Sequence, residues 1–293
     1  MKPLQASGPE ASSRTVDPVS EAPLVTVCIP TYKGAAYLGE TIASVLSQSH
    51  AHLEVWVVDD RSPDETQAVV AAFKDPRLHY VRNDANLGPE GNWNKCLGLA
   101  RGKYYKLLPH DDLLAPEAIA QQVEVLEGDA DQSIALVFGY RQIIDAHGQL
   151  MAVRRPLGRT RRRWRSASLV RRCVRSGTNP LGEPGNGLIR TALISRIGAY
   201  DAGAAYMVDL DYWFRALMHG DAVYTASHSS SFRVSGGAWS VVIGSKQVDD
   251  FARFVEKFRR HQPFGLTSLD VGIGRFWAGI YMRLRRIVYM FIR

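Results

Sequence analysis

Two pairs of adjacent carboxylates, Asp59-Asp60 and Asp111-Asp112, are the residues of this sequence best placed to do chemistry. Each follows a short apolar run, at 53–58 and 103–108. Two more polar stretches, Pro30-Thr31-Tyr32-Lys33 and Asn83-Asp84-Ala85-Asn86-Leu87-Gly88, follow similar runs. A carboxylate accepts hydrogen bonds from a nucleobase N–H or from ribose hydroxyls. Another can hold a hard divalent cation, Mg²⁺ or Mn²⁺, which binds one or two carboxylates and completes its shell on phosphates. No G-x-G-x-x-G and no G-x-x-x-x-G-K-[ST] follows the first run. That argues against a dinucleotide-dependent dehydrogenase and a P-loop enzyme. Either acidic pair alone would also serve to cap the helix after it. Together, after alternate apolar runs, they point to a shared site.

The elements that must position these residues alternate regularly. Apolar runs at 24–29, 53–58, 78–82, 103–108 and 134–140 predict strands. Helical spacing at 35–47, 63–73, 90–100 and 116–126 predicts helices between them. Ser62-Pro63-Asp64-Glu65 has the form of a capping box with proline at the first helical position. Such alternation implies an α/β fold, a Rossmann-like, mostly parallel sheet flanked by helices, with ligands at the carboxyl ends of the strands. The carboxylates and amides then gather at one edge.

The net charge of +7 over 293 residues is unevenly spread. Ten arginines and no acid fall in 154–175, five arginines and no acid in 275–293, and the rest of the chain carries −8. Basic segments attract phosphate, on nucleic acid, a membrane surface or a substrate. On a helical wheel Arg275, Arg283, Arg286 and Arg293 lie within about 80° of one another, with Trp, Tyr, Phe and Ile filling much of the rest. That pattern suits a helix lying on an anionic membrane surface, in preference to one docked on the body. Residues 1–22 read as a disordered tail. The three cysteines form no ligand pattern, and no apolar run approaches the roughly 20 residues of a membrane span. The expected location is the cytoplasm, with peripheral attachment to the cytoplasmic face of the membrane.

The motifs 25–30 with Thr31-Tyr32, Val57-Val58-Asp59-Asp60-Arg61-Ser62, Asn86-Leu87-Gly88 and 107–112 resemble those of the family 2 glycosyltransferases, over roughly residues 24–235. The resemblance implies a GT-A fold and a nucleotide-sugar donor, UDP-type, with transfer that inverts the anomeric centre. It implies that Pro30, Thr31 and Tyr32 line the nucleotide pocket with Asn86, and that Asp59 or Asp60, Asp60 favoured, contacts the base. Asp111 and Asp112 match the metal motif, one facing ribose and one the metal, with Pro109 where the family often has an acid. Asp209 falls at the catalytic-base position, with Val208 where Glu is usual and Asp211 as second choice. Arg233 would meet phosphate, with Ser235 where many relatives carry His.

The expected organisation is a GT-A domain over 23–245, with a nucleotide-sugar half (23–140) and an acceptor half (176–245), followed by a helical extension over 246–293. Processive relatives carry Q-x-x-R-W and membrane spans. Here Thr160 stands three residues before Arg163-Trp164. The expected reaction is therefore addition of one sugar to a hydroxyl, on a surface polysaccharide or lipid-linked glycan. Two alternatives are a nucleotidyltransferase acting on sugar phosphates and a nucleic-acid-binding module using the arginine clusters. The first lacks a basic, glycine-rich loop beyond Lys33. The second leaves the strand-end carboxylates unexplained, so nucleic acid is not an expected partner.

Overall fold

In the computed structural model, which describes residues 22–234, 247–261 and 263–291, the first strand, β1 (Val25–Thr31), is buried at every position. A mainly apolar run buried throughout suits a strand covered on both faces. β2 (Leu53–Asp59), β3 (Leu78–Arg82) and β4 (Tyr104–Leu107) lie parallel to it in the order β3-β2-β1-β4. Helices α1 (Leu38–Leu46), α2 (Thr66–Ala71) and α3 (Gly88–Leu99) connect them. Alternate β1 side chains enter different cores. Val25, Val27 and Ile29 pack with Leu38 and Ile42 of α1, while Cys28 packs with Cys96 of α3 on the opposite face. The register sets Thr31, Asp59 and Arg82 in one row, so the loops after these strands emerge side by side.

Beyond β4 the sheet departs from the parallel expectation. The remaining strands are β5 (Leu113–Leu114), β6 (Ile134–Ile144), β7 (Leu150–Arg154), β8 (Arg162–Trp164), β9 (Gly187–Arg190) and β10 (Asp221–Arg233). Among the described residues they complete a 10-stranded sheet in which β9 runs antiparallel between β4 and β6. β10 is parallel to β6 and antiparallel to β5 and β8. The β10–β6 register shifts near Ala226, which has a positive φ of 60°. Such a bulge re-aims the strand, and its far end reaches the loop after β4. Helices α4 (Ala118–Glu127), α5 (Ser166–Ser176), α6 (Ile194–Ile197) and α7 (Val208–Ala216) complete this half.

Two further helices, α8 (Gln247–His261) and α9 (Ser268–Phe291), fold back on the body. Phe254 and Phe258 of α8 surround Phe214 of α7 at ring-centroid distances of 5.1 and 5.3 Å. α9 lies against α5 so closely that a Cβ on Gly274 would sit 2.2 Å from the Val174 carbonyl oxygen. The first part of α9 is thus docked on the body, although Leu269, Phe276 and Trp277 remain exposed. No helix among the described residues is long and apolar enough to cross a membrane. Residues 1–21 of the expected tail over 1–22, and residues 235–246, Ser235 included, lie outside the described residues.

Candidate active site

The loops after β1 and β2 are fastened to each other. Asp60 N donates to Thr31 O (2.8 Å), Lys33 N to Ser62 Oγ (2.9 Å) and Gly34 N to Thr66 Oγ1 (3.1 Å). Ser62 is therefore not the helix cap that its sequence suggests. α2 begins later, with Asp64 Oδ1 accepting from Thr66 N (3.3 Å). Lys33 and Arg61 both hold left-handed backbone, φ 54° and 60°, a conformation non-glycine residues rarely keep without surrounding restraint. Gly34 is required at this junction, because a Cβ there would lie 2.1 Å from Thr31 Oγ1 and 3.0 Å from the His110 ring. Pro30 and Thr31 are buried and Tyr32 is exposed beside them. Thr31 Oγ1 is buried with no hydrogen-bond partner among the described residues.

Asp59 and Asp60 are both buried and both organise the loops around them. Asp59 accepts from Ser62 N (2.9 Å) and from the Tyr80 hydroxyl (2.7 Å). Asp60 Oδ1 accepts from Asn83 Nδ2 (2.8 Å) and Leu87 N (2.7 Å), and Oδ2 from Gly88 N (2.9 Å). Three of the roughly four acceptor positions of the Asp60 carboxylate are thus filled from the 83–88 loop. Asn86 closes the same loop, donating to Asp60 O (3.0 Å) and accepting from Gly88 N (3.2 Å).

Asp111 and Asp112 follow β4. Asp112 is buried and accepts from the Arg233 backbone N (3.0 Å). Burial, then the nearby charges of Asp111 and Glu183, push its carboxyl well above the usual carboxylate range. Arg233, expected to meet phosphate, is fully enclosed instead. Its guanidinium donates to Asp111 O (2.9 Å), Ala146 O (3.2 Å) and Glu40 Oε2 (2.6 Å), and it stacks 4.6 Å from the Tyr37 ring centroid. The cation nearest the acidic pair is therefore turned to backbone carbonyls and to Glu40. A buried carboxylate beside a second one, neither in an ion pair with a side chain among the described residues, fits a divalent cation completed by phosphate oxygens. Among the described residues, no group of three or more His, Cys, Asp or Glu side chains converges in a metal-ligating arrangement.

Asp209 stands in the first turn of α7. Asn179 Nδ2 donates to its Oδ2 (2.8 Å) and Leu210 N to its Oδ1 (2.7 Å). Burial and then the Glu183 charge raise its pKa to about 7. Asp211, two residues on, is paired with Arg215 (2.7 Å) and Lys257 (3.0 Å). Two cations hold that second candidate base, whereas among the described residues no cation is paired with Asp209, on which Arg141 acts only through its charge.

Glu183, a residue that no motif of the sequence singles out, lies close enough to Asp112 and Asp209 to raise the pKa of both. Arg141 holds it by an ion pair of 2.8 Å and also donates to Asn179 O (3.2 Å). The loop is anchored by Lys106, a fully buried β4 side chain donating to Gly185 O (2.9 Å) and Gly187 O (2.7 Å). Burial lowers the Lys106 pKa to about 7. Gly182 turns the loop at φ +90°, where a Cβ would come within 2.8 Å of Asn186 Nδ2. The available signal for this loop was an acid set among Gly182, Pro184 and Gly185. Lys106 sat hidden in an apolar strand.

A parallel half with acidic loops at its carboxyl edge, continued by antiparallel strands that bring in a second acidic site, defines a GT-A glycosyltransferase. The family model for glycosyl transferase family 2 matches residues 26–198. The chain belongs to that family. It is 32% identical over 232 residues to the uncharacterized protein MT1568 of Mycobacterium tuberculosis, covering 77% of this chain and 71% of that one. It is 38% identical over 106 residues to the succinoglycan biosynthesis protein ExoO of Rhizobium meliloti, covering 36% of this chain and 30% of ExoO. In fold it is similar to the mannosyltransferase PcManGT of Pyrobaculum calidifontis, solved with GDP-Man and Mn²⁺, with a TM-score of 0.60 and 18% identity over 88% of this chain and 70% of that one.

Proposed function

We propose that this glycosyltransferase moves a single sugar from a nucleoside-diphosphate sugar to an acceptor hydroxyl, with Asp209 as the base and inversion at the anomeric carbon. One observation carries the reading: Asp209 is a carboxylate with no ion-pair partner among the described residues, held by Asn179 and Leu210 N and poised near pH 7 beside Glu183. That is the protonation range in which a general base works best. In the proposed step the acceptor oxygen attacks the anomeric carbon while Asp209 takes its proton. The bond from that carbon to the diphosphate breaks, and the nucleoside diphosphate leaves with the electron pair.

Asp111 and Asp112 would hold a divalent cation, Mg²⁺ or Mn²⁺, which when bound offsets charge on the departing diphosphate. The Mn²⁺ in the PcManGT complex supports that assignment. Arg233 acts as a positioning residue here, since its backbone N and guanidinium hold the acidic pair in place. Pro30, Thr31, Tyr32 and the Asp60–Asn86 loop form the nucleotide side, where Thr31 Oγ1 is the buried polar atom that a ligand would satisfy. Likeness to ExoO favours an acceptor in polysaccharide synthesis. The exposed Leu269, Phe276 and Trp277 of α9, with Arg275 and Arg283, make this helix the element that would meet an anionic membrane.

The test is turnover of a panel of UDP- and GDP-sugars with Mn²⁺, with Mg²⁺ and with chelator. Cation-dependent release of nucleoside diphosphate from one donor is expected. Release of pyrophosphate from a nucleoside triphosphate and a sugar phosphate would instead make the protein a nucleotidyltransferase.

A further inference from the structure

Asn179 and Arg141, the side chains that hold Asp209 and Glu183, also form part of the wall of a cavity of about 640 Å³. Four more arginines line it, Arg154, Arg155, Arg172 and Arg175, and among the described residues no acidic one does. Ile273, Trp277 and Tyr281 of α9 add an apolar and aromatic portion. Some of this charge is matched from outside the wall. Arg141 is paired with Glu183 (2.8 Å) and Arg175 with Asp270 (2.5 Å). Arg172 donates to the Pro156 carbonyl (3.1 Å), and Arg155 stacks on Tyr140 at 4.0 Å from the ring centroid. Arg154 and Arg155 are exposed, and neither has an acidic partner among the described residues. Gathering five guanidinium groups around one cavity costs mutual repulsion that an anion removes. Phosphate is the anion whose geometry the guanidinium fork matches.

We propose that this cavity binds the phosphate-bearing part of an amphiphilic acceptor, the arginines on the phosphate oxygens and the Trp277–Tyr281 surface against the attached apolar chain. The inference rests on the reading of Asp209 as base, because the Asn179–Arg141 wall then presents the acceptor hydroxyl beside that carboxylate. It also gives the basic segment at 154–175 a local role. The nucleotide loops after β1 and β2 contribute nothing to this wall, so donor and acceptor would carry their phosphates on different parts of the protein.

The test is calorimetric titration of the full chain, in chelator and without donor, with inorganic pyrophosphate and separately with geranyl diphosphate. Wild type is expected to bind both, geranyl diphosphate at least about tenfold more tightly because of the aromatic surface. Arg154→Glu with Arg155→Glu should weaken both by at least about tenfold. Both positions are exposed, so an unchanged melting temperature verifies folding. Arg161→Glu with Arg162→Glu makes the same charge change outside the cavity and should alter binding by less than about threefold. Trp277→Ala should remove the preference for geranyl diphosphate and leave pyrophosphate binding in place.

No binding by wild type, or equal loss from the two arginine pairs, overturns the site. Equal affinity for the two ligands overturns the apolar part and makes free phosphate the source. These readouts need no turnover. Phosphate binding lost in the cavity variant while Asp209→Asn keeps full activity would sink the assignment of the base and leave the cavity standing. The converse pattern would sink the cavity alone.

Discussion

Replacing Asp209 by Asn keeps the size of the side chain and removes its ability to take a proton. Two effects on stability oppose each other. In the folded chain the carboxyl has a pKa of about 7, against an ordinary 3.8. The folded state therefore holds a proton that the unfolded chain has released between about pH 4 and pH 7, and stability falls as pH rises through that window. The full difference would be at most about 4 kcal/mol, and a partly covered carboxylate delivers about half of that or less. The amide escapes this penalty but has one acceptor oxygen for two donors, Asn179 Nδ2 at 2.8 Å and Leu210 N at 2.7 Å. Leaving one of them unmet costs about 1–3 kcal/mol. The terms nearly cancel at pH 8, so the melting temperature should change by only a few degrees.

Turnover should fall by about 10² to 10⁴, the usual contribution of a general base. Nucleotide affinity should stay within about threefold. Wild-type turnover should rise with pH, and at pH 6 should reach about a tenth of its plateau, the ionised fraction of a group titrating near pH 7. Nucleoside diphosphate release at saturating donor, followed from roughly pH 5.5 to pH 9, reads both effects. A flat wild-type profile, or an Asn variant keeping more than about a tenth of wild-type turnover, would refute the reasoning.

Lys106→Met should change the pH dependence of stability in the opposite sense. Burial lowers the lysine to about pH 7, so the unfolded chain binds a proton the folded one lacks, and wild-type stability rises above pH 7 by up to about 1.4 kcal/mol per pH unit. Urea denaturation at about pH 7 and pH 8.5 should show that rise in wild type and not in the variant. Arg233→Met leaves Glu40 and the Asp111 and Ala146 carbonyls without their donor. It should cost about 3–5 kcal/mol by thermal melting and weaken Mn²⁺ binding measured by calorimetry. Gly274→Leu drives a side chain into the Val174 carbonyl, 2.2 Å from where its Cβ would be. A loss of about 1–3 kcal/mol and faster proteolytic cleavage between α8 and α9 are expected; unchanged cleavage would mean that α9 is not held at this contact.

The parallel half of the sheet was legible because β1, β2 and β4 are largely buried and so read as mainly apolar runs. Expected strands at 53–58 and 78–82 correspond to Leu53–Asp59 and Leu78–Arg82. β10 escaped notice: its 225–231 stretch, Thr-Ala-Ser-His-Ser-Ser-Ser, has no strand pattern, and pairing with β6 on one side and with β5 and β8 on the other overrides that composition. The C-terminal helix was read as a membrane-surface element from its wheel. The close approach at Gly177 and Gly274 that docks it involves a missing Cβ on each partner, a signal visible only when the partner is known.

The order of residues determined that Thr31, Asp59, Asn86 and the Asp111-Asp112 pair would meet at one edge, because each follows a strand or its connecting loop and parallel strands end together. The family resemblance left two candidates for the proposed base, Asp209 and Asp211, which share the first turn of α7. Locally they differ in one respect, the arginine one turn after Asp211, where Asp209 has Trp213. Asp211 meets Arg215 one turn away and Lys257 from α8, while Asp209 meets Asn179 and the field of Glu183. The state of a carboxylate is set by the charges and the burial around it, and for this pair those come from segments as distant in the chain as Arg141 and Lys257. The tertiary structure decided that Lys257 joins Arg215 on Asp211 while Asp209 lies against Asn179 and the field of Glu183.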